Sequence, residues 1–197
     1  TGKKFKIVEW REDDKYDTIA LEPGTTDTAN GPTHNYFRDL ANKNAIDTNL
    51  STARRTEAGE EMIIDRIGLH VSTAVGNQLV TTADIKKIAE AAHFSFKINK
   101  FVVAEGPAVK FGSGYGVVGQ TTENNMGIAT IGVASTAAQA KLLREQFIND
   151  NHDLFAELKF LDRDTWMTSS PVAPSLAGFN LVRCYVHGLI RSAAPKG

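Results

Sequence analysis

Apolar and polar residues alternate along most of this chain, and the alternation predicts strands. The clearest is Glu61–Thr73, EMIIDRIGLHVST. Ile63, Ile67, Leu69 and Val71 share one face, interrupted only by Asp65, and Met62, Ile64, Arg66 and His70 share the other. FNLVRCYVHGLIRSA, Phe179–Ala193, predicts a long final strand with Val182, Cys184, Val186 and Ile190 inward and Arg183, Tyr185, His187 and Arg191 outward. LFAELKF alternates through Leu154, Ala156, Leu158 and Phe160, FSFKINKFVV through Phe94, Phe96 and Ile98, and GIATIGVAS is β-like. KFKIVEW, with Phe5 and Ile7 on one face, and DTIALEPG, ended by the turn pair Pro23-Gly24, predict strands near the start. Two segments change period. TTADIKKIAEAAH places Ile85, Ile88, Ala89 and Ala92 at helical spacing behind Thr82 as N-cap. TAAQAKLLREQFI lines up Leu142, Leu143, Phe147 and Ile148 as a helical stripe. Between Thr25 and Glu60 apolar content falls, which predicts a long loop or arm with a short helix at HNYFRDLAN.

Helices follow strands too irregularly for βαβ repeats. The expected fold is therefore all-β: an antiparallel β-sandwich of jelly-roll type with two short helices in the connections. Residues 1–197 are expected to form a single jelly-roll domain, with 25–60 as a long polar loop or arm.

Composition narrows the function more by exclusion than by indication. Across 197 residues, 22 Lys and Arg face 23 Asp and Glu, and the basic residues are scattered, so direct nucleic-acid binding is not expected. Cys184 is the one cysteine, which rules out an intramolecular disulfide and a cysteine metal cluster. No apolar run reaches the roughly 18 residues of a membrane-spanning helix, and the first residues lack the apolar core of a signal peptide. Thr1 reads as the residue left by removal of an initiating methionine, folding is expected in the cytoplasm, and the Asn49 sequon is read as chance.

The formal match to a dinucleotide fingerprint, Gly114, Gly116 and Gly119 in GSGYGVVG, is followed by QTTENNMG, which has no apolar helical face. These glycines are expected to shape a loop instead of a phosphate cradle. His34, His70, His93, His152 and His187 lie far apart, outside any metal-binding spacing. His70 and His187 are the pair that could meet across strands. Cys184, on an apolar face, is expected to be a buried hydrophobe. Asp13-Asp14 and Glu60-Glu61 are expected in solvated turns, and Trp10, Tyr115 and Trp166 in core or interface rather than a sugar platform. No catalytic, cofactor-binding or metal-binding residue is assigned, and no cofactor is expected.

The order of these features resembles the jelly-roll module of the major capsid proteins of tailless, membrane-containing icosahedral phages. Ile64, Ile67, Gly68, Leu69 and Val71 match the first strand of that module, Gly112, Gly114, Gly116 and Gly119 its glycine-rich loop, and Gly188 and Arg191 its final strand. The similarity spans residues 60–192 and is one of pattern. It implies a non-enzymatic capsid subunit that is folded in the host cytoplasm and self-assembles into an icosahedral shell of the virion. A second coat protein and an internal membrane are the further partners implied. The best-known members carry two jelly rolls per chain, so this chain resembles a single-jelly-roll variant in which several copies replace the double one. The alternative is a jelly-roll carbohydrate- or receptor-binding module.

Overall fold

The computed structural model describes residues 10–21, 33–73, 92–112, 117–120, 128–131, 136–160 and 180–191. Among the described residues, ten strands run in chain order: β1 Trp10–Leu21, β2 Thr33–Tyr36, β3 Glu61–Thr73, β4 Ala92–Ile98, β5 Phe101–Pro107, β6 Val117–Gln120, β7 Ile128–Ile131, β8 Ala140–Asn149, β9 Leu154–Phe160 and β10 Asn180–Arg191. Two 3-10 turns, Ala108–Lys110 and Thr136–Ala138, are the only helical elements among the described residues. One sheet has the order β1-β10-β3-β8, a second β2-β9-β4-β5, and β6 pairs with β7 alone. Every pairing is antiparallel.

The inner faces of the two four-stranded sheets share one apolar core. Phe94, Phe96 and Ile98 of β4 and Leu154, Ala156, Leu158 and Phe160 of β9 are buried, as the alternation predicts. Val182, Cys184, Val186 and Ile190 meet them from β10. Phe94 stacks edge-on against Phe111, 4.8 Å between centroids, and against Tyr36 at 6.3 Å. Each buried phenylalanine contributes on the order of 2–3 kcal/mol.

In β3 the structure departs from the predicted faces. Met62 and Ile64 are buried together with Ile67 and Leu69, across a change of parity. The cause is a β-bulge: His187 pairs with Arg66 and Gly188 with Ile64, which leaves Asp65 as an extra residue. Gly188 is required there, since a Cβ would lie 1.9 Å from the Ile63 carbonyl oxygen.

Three predicted elements need correction. TAAQAKLLREQFI is not a helix but a 3-10 turn followed by β8, because Met62 pairs with Ile148 and Ile63 with Phe147. The supposed apolar stripe is split, with Leu142 and Ile148 buried and Leu143 and Phe147 exposed. HNYFRDLAN holds β2 followed by an irregular turn in which Phe37 takes φ 62°. FSFKINKFVV is a hairpin, not one strand: Ile98 pairs with Phe101 around Asn99, whose φ is 55°. The other predicted helix falls on residues 81–91, outside the described ones, and its last two positions, Ala92 and His93, belong to β4. KFKIVEW also lies outside them except for Trp10, where β1 begins.

The described part of the polar excursion, residues 33–60, packs on its own chain. Tyr36, Phe37 and Leu50 enter the core. The Asn44–Leu50 loop runs along the free edge of β1, where the Asn49 side chain accepts from Tyr16 N–H at 2.9 Å and donates to the Asp14 carbonyl at 2.7 Å. Thr48 bridges Asp17 and its hydroxyl donates to the Tyr16 carbonyl. The middle of an edge strand that could recruit another chain, Asp14–Thr18, is covered from within.

Candidate functional site

Two places on the sandwich carry features beyond packing: a polar cluster on the outer face of the β1-β10-β3-β8 sheet, and a groove at the side of the molecule opposite β1.

In the cluster, register sets the partners. Asp14 lies opposite His187 across β1 and β10, and Arg66 opposite His187 across β10 and β3. His187 Nδ1 meets the Asp14 carboxylate, and Nε2 lies 3.0 Å from Glu12 Oε1. Burial disfavours the charged ring, but the Asp14 and Glu12 hydrogen bonds and the Asp14 and Asp65 charges outweigh it and raise its pKa. Asp65 contacts Arg66 Nε at 3.2 Å, while its other carboxylate oxygen is buried without a partner among the described residues. With both ring nitrogens engaged by carboxylates, His187 has no nitrogen left to take a proton from a substrate, which a general base requires.

His70 does not meet His187. It pairs with Arg183, and its pKa is lowered by burial and by that guanidinium. Arg183 lies over the rings of Tyr16 and Tyr185, at 5.2 and 5.8 Å, and donates to Thr18 Oγ1 and the Ile46 carbonyl, which anchors the loop that closes β1. His34 sits edge-on to Phe160, His93 lies on β4, and His152 closes a turn onto Asn149. The described residues include no group of three or more His, Cys, Asp or Glu side chains able to hold a metal ion.

Neither acidic pair is a solvated turn. Asp13 and Asp14 lie in β1, Glu60 forms a buried 2.8 Å ion pair with Lys15, and Glu61 pairs with Arg191. Within the same buried layer Asp17 accepts from Phe37 N–H at 2.6 Å and from Lys43 Nζ at 2.7 Å. Burial still raises its pKa against those contacts. Cys184 is fully buried, and burial followed by the Asp17 charge pushes its thiol well up. Trp10 is partly exposed beneath the Arg191 guanidinium at 5.6 Å, while Tyr115 and Trp166 lie outside the described residues. Of the glycine-rich stretch, Gly112 packs so closely that a Cβ would meet the Ala138 carbonyl at 2.6 Å. Gly119 belongs to β6, so a strand stands where a dinucleotide cradle places a helix.

The groove of about 520 Å³ lies between β5 and β8, the outermost strands of their sheets. Phe101, Val102 and Leu143 line it, 77%, 51% and 105% exposed respectively. Both strands are irregular there. Val103 is bulged, since Phe96 pairs with Ala104 and Lys97 with Val102. In β8 the pairing jumps from Gln146 to Lys141 while β3 advances only from Ile64 to Arg66, so residues 142–145 are left unpaired with β3, with Leu142 buried and 143–145 exposed. The alternation rule missed this surface. Its sequence signals are the unbroken apolar runs Phe101-Val102-Val103 and Leu142-Leu143, which no single-faced strand explains. No protein-family model, curated protein or solved structure matches the chain.

Proposed function

We propose that this chain is a jelly-roll shell subunit: a non-enzymatic capsid protein that associates with copies of itself into an icosahedral virion, with a second coat protein and an internal membrane as further partners. Strand order carries the reading. Apart from β6 and β7, the pairs nest from the outside inward, β1 with β10, β2 with β9, β3 with β8 and β4 with β5. This is how a single long hairpin wraps into two four-stranded sheets, the arrangement jelly rolls share. A fold of this kind is a brick, and its function rests on lateral surfaces. One side is closed by the Asn44–Leu50 loop, and the other presents apolar side chains to solvent. Catalysis is disfavoured by His187, whose ring nitrogens are both held by carboxylates.

The test is assembly of the purified chain, followed by light scattering and electron microscopy across salt and pH. Defined oligomers that grow into closed shells are expected, and a strict monomer under every condition would overturn the proposal. The β5/β8 groove favours a second reading, a binding module, whose mark would be saturable thermal stabilisation by an oligosaccharide or other ligand in a chain that stays monomeric.

A further inference from the structure

We infer that the β5/β8 groove is a self-association surface, in which a second copy docks about a two-fold axis and each Leu143 enters the partner's groove. This deepens the shell reading and rests on it. Three observations converge.

The first is the concentration of exposed apolar surface. Phe101, Val102 and Leu143 line the groove, Val109 on the 3-10 turn after β5 and Phe147 on β8 are exposed on the same elements outside its lining, and Leu143 has no neighbour that shields it. A leucine at full exposure in a stretch unpaired with β3, beside a groove with apolar lips, is both a knob and the rim of a hole. An isologous contact uses one such surface twice.

The second is the backbone. A free edge usually invites another strand, yet β5 and β8 are both broken by irregularities at the groove, where continuous strand pairing would be interrupted. A partner is received through side chains. The opposite edge is treated differently, since the chain uses its own loop to satisfy β1. Each edge is interrupted or covered against open-ended sheet growth, and although Ile46 of the covering loop and Trp10 of β1 are also exposed, Phe101, Val102 and Leu143 are exposed together around one groove.

The third is charge. Glu105 lies in the groove with Lys110, Lys141 and Arg144, and none of the four has an ion-pair partner among the described residues. A surface of one sign would repel its own copy. The set here is mixed in sign though basic on balance, and a two-fold axis lets Glu105 of each copy meet a cation of the other, two complementary pairs that a uniformly basic partner could not make.

Sedimentation equilibrium of the full chain tests this, on the wild type and on Leu143→Arg and Phe101→Glu, both at exposed positions, with circular dichroism and melting curves confirming the fold. A wild-type dimer is expected, with its dissociation constant raised about thirtyfold or more in each variant. A third variant, Lys110→Glu with Lys141→Glu and Arg144→Glu, should fail to pair with itself yet pair with Glu105→Lys when the two are mixed. Wild-type assembly with unchanged dissociation constants in both apolar variants would overturn this contact and leave the shell reading standing. A wild type that is monomeric at every concentration would overturn both. Saturable binding of an apolar ligand in the groove of a monomer would assign it to a ligand instead.

Discussion

Tyr36 is fully buried beside Phe37 and Phe94, and its hydroxyl has no hydrogen-bond partner among the described residues. A buried unsatisfied hydroxyl opposes folding, so Tyr36→Phe should stabilise the chain by about 1 kcal/mol, read as a higher denaturant midpoint at unchanged slope. His187 gives a pH dependence whose sign follows from its raised pKa. The folded ring holds its proton more tightly than the unfolded one, so its contribution is complete below the ordinary value of 6.5 and is lost as pH rises through the folded value. His70, lowered by burial and Arg183, acts in the opposite sense. The measurement is therefore the wild type against His187→Gln: their difference in unfolding free energy should shrink between pH 6 and the alkaline range, and a constant difference would contradict the Asp14 and Glu12 contacts. The outward direction of His187 could be read from the alternation of the last strand. Its carboxylate partners could not, because they come from β1, more than 170 positions away.

At the scale of elements, the loop over β1 shows how a polar segment becomes structural. The Asn49 carboxamide acts as one more strand residue, satisfying Tyr16 N–H and the Asp14 carbonyl. Asn49→Ala should cost about 1–3 kcal/mol and expose the β1 edge, seen as a lower melting temperature together with faster aggregation. The same geometry leaves the sequon nitrogen engaged. Strands with one buried face, β4, β9 and β10, were legible because a period of two is forced on any half-buried strand. β8 was not. Its residues carry good helix formers and the i, i+4 pair Leu143 and Phe147, and pairing with β3 overrides both. The β3 bulge was hidden for a related reason. Asp65 looked like an interruption of one face, whereas it is the residue at which the inward face changes parity.

The whole molecule is organised by sequence-distant contacts, with the first described strand paired to the last. Closing such pairs costs loop entropy before much apolar surface is buried, so refolding from denaturant should be slow for a chain of this size, milliseconds to seconds or longer in stopped-flow fluorescence. Submillisecond single-phase refolding would argue against the nested pairing. The chain's own alternation determined that it folds as strands, which residues of β4, β9 and β10 point inward, and that Cys184 is buried, because side-chain period and the cost of hydrating apolar groups act locally. Only the tertiary structure decided which strands are neighbours, where β3 and β8 break register, that Asp14 and Glu12 meet His187, and that Leu143 and Phe101 stand in solvent across a groove. Those outcomes depend on pairing between distant segments, and the pattern within any one segment is the same whichever partner it finds.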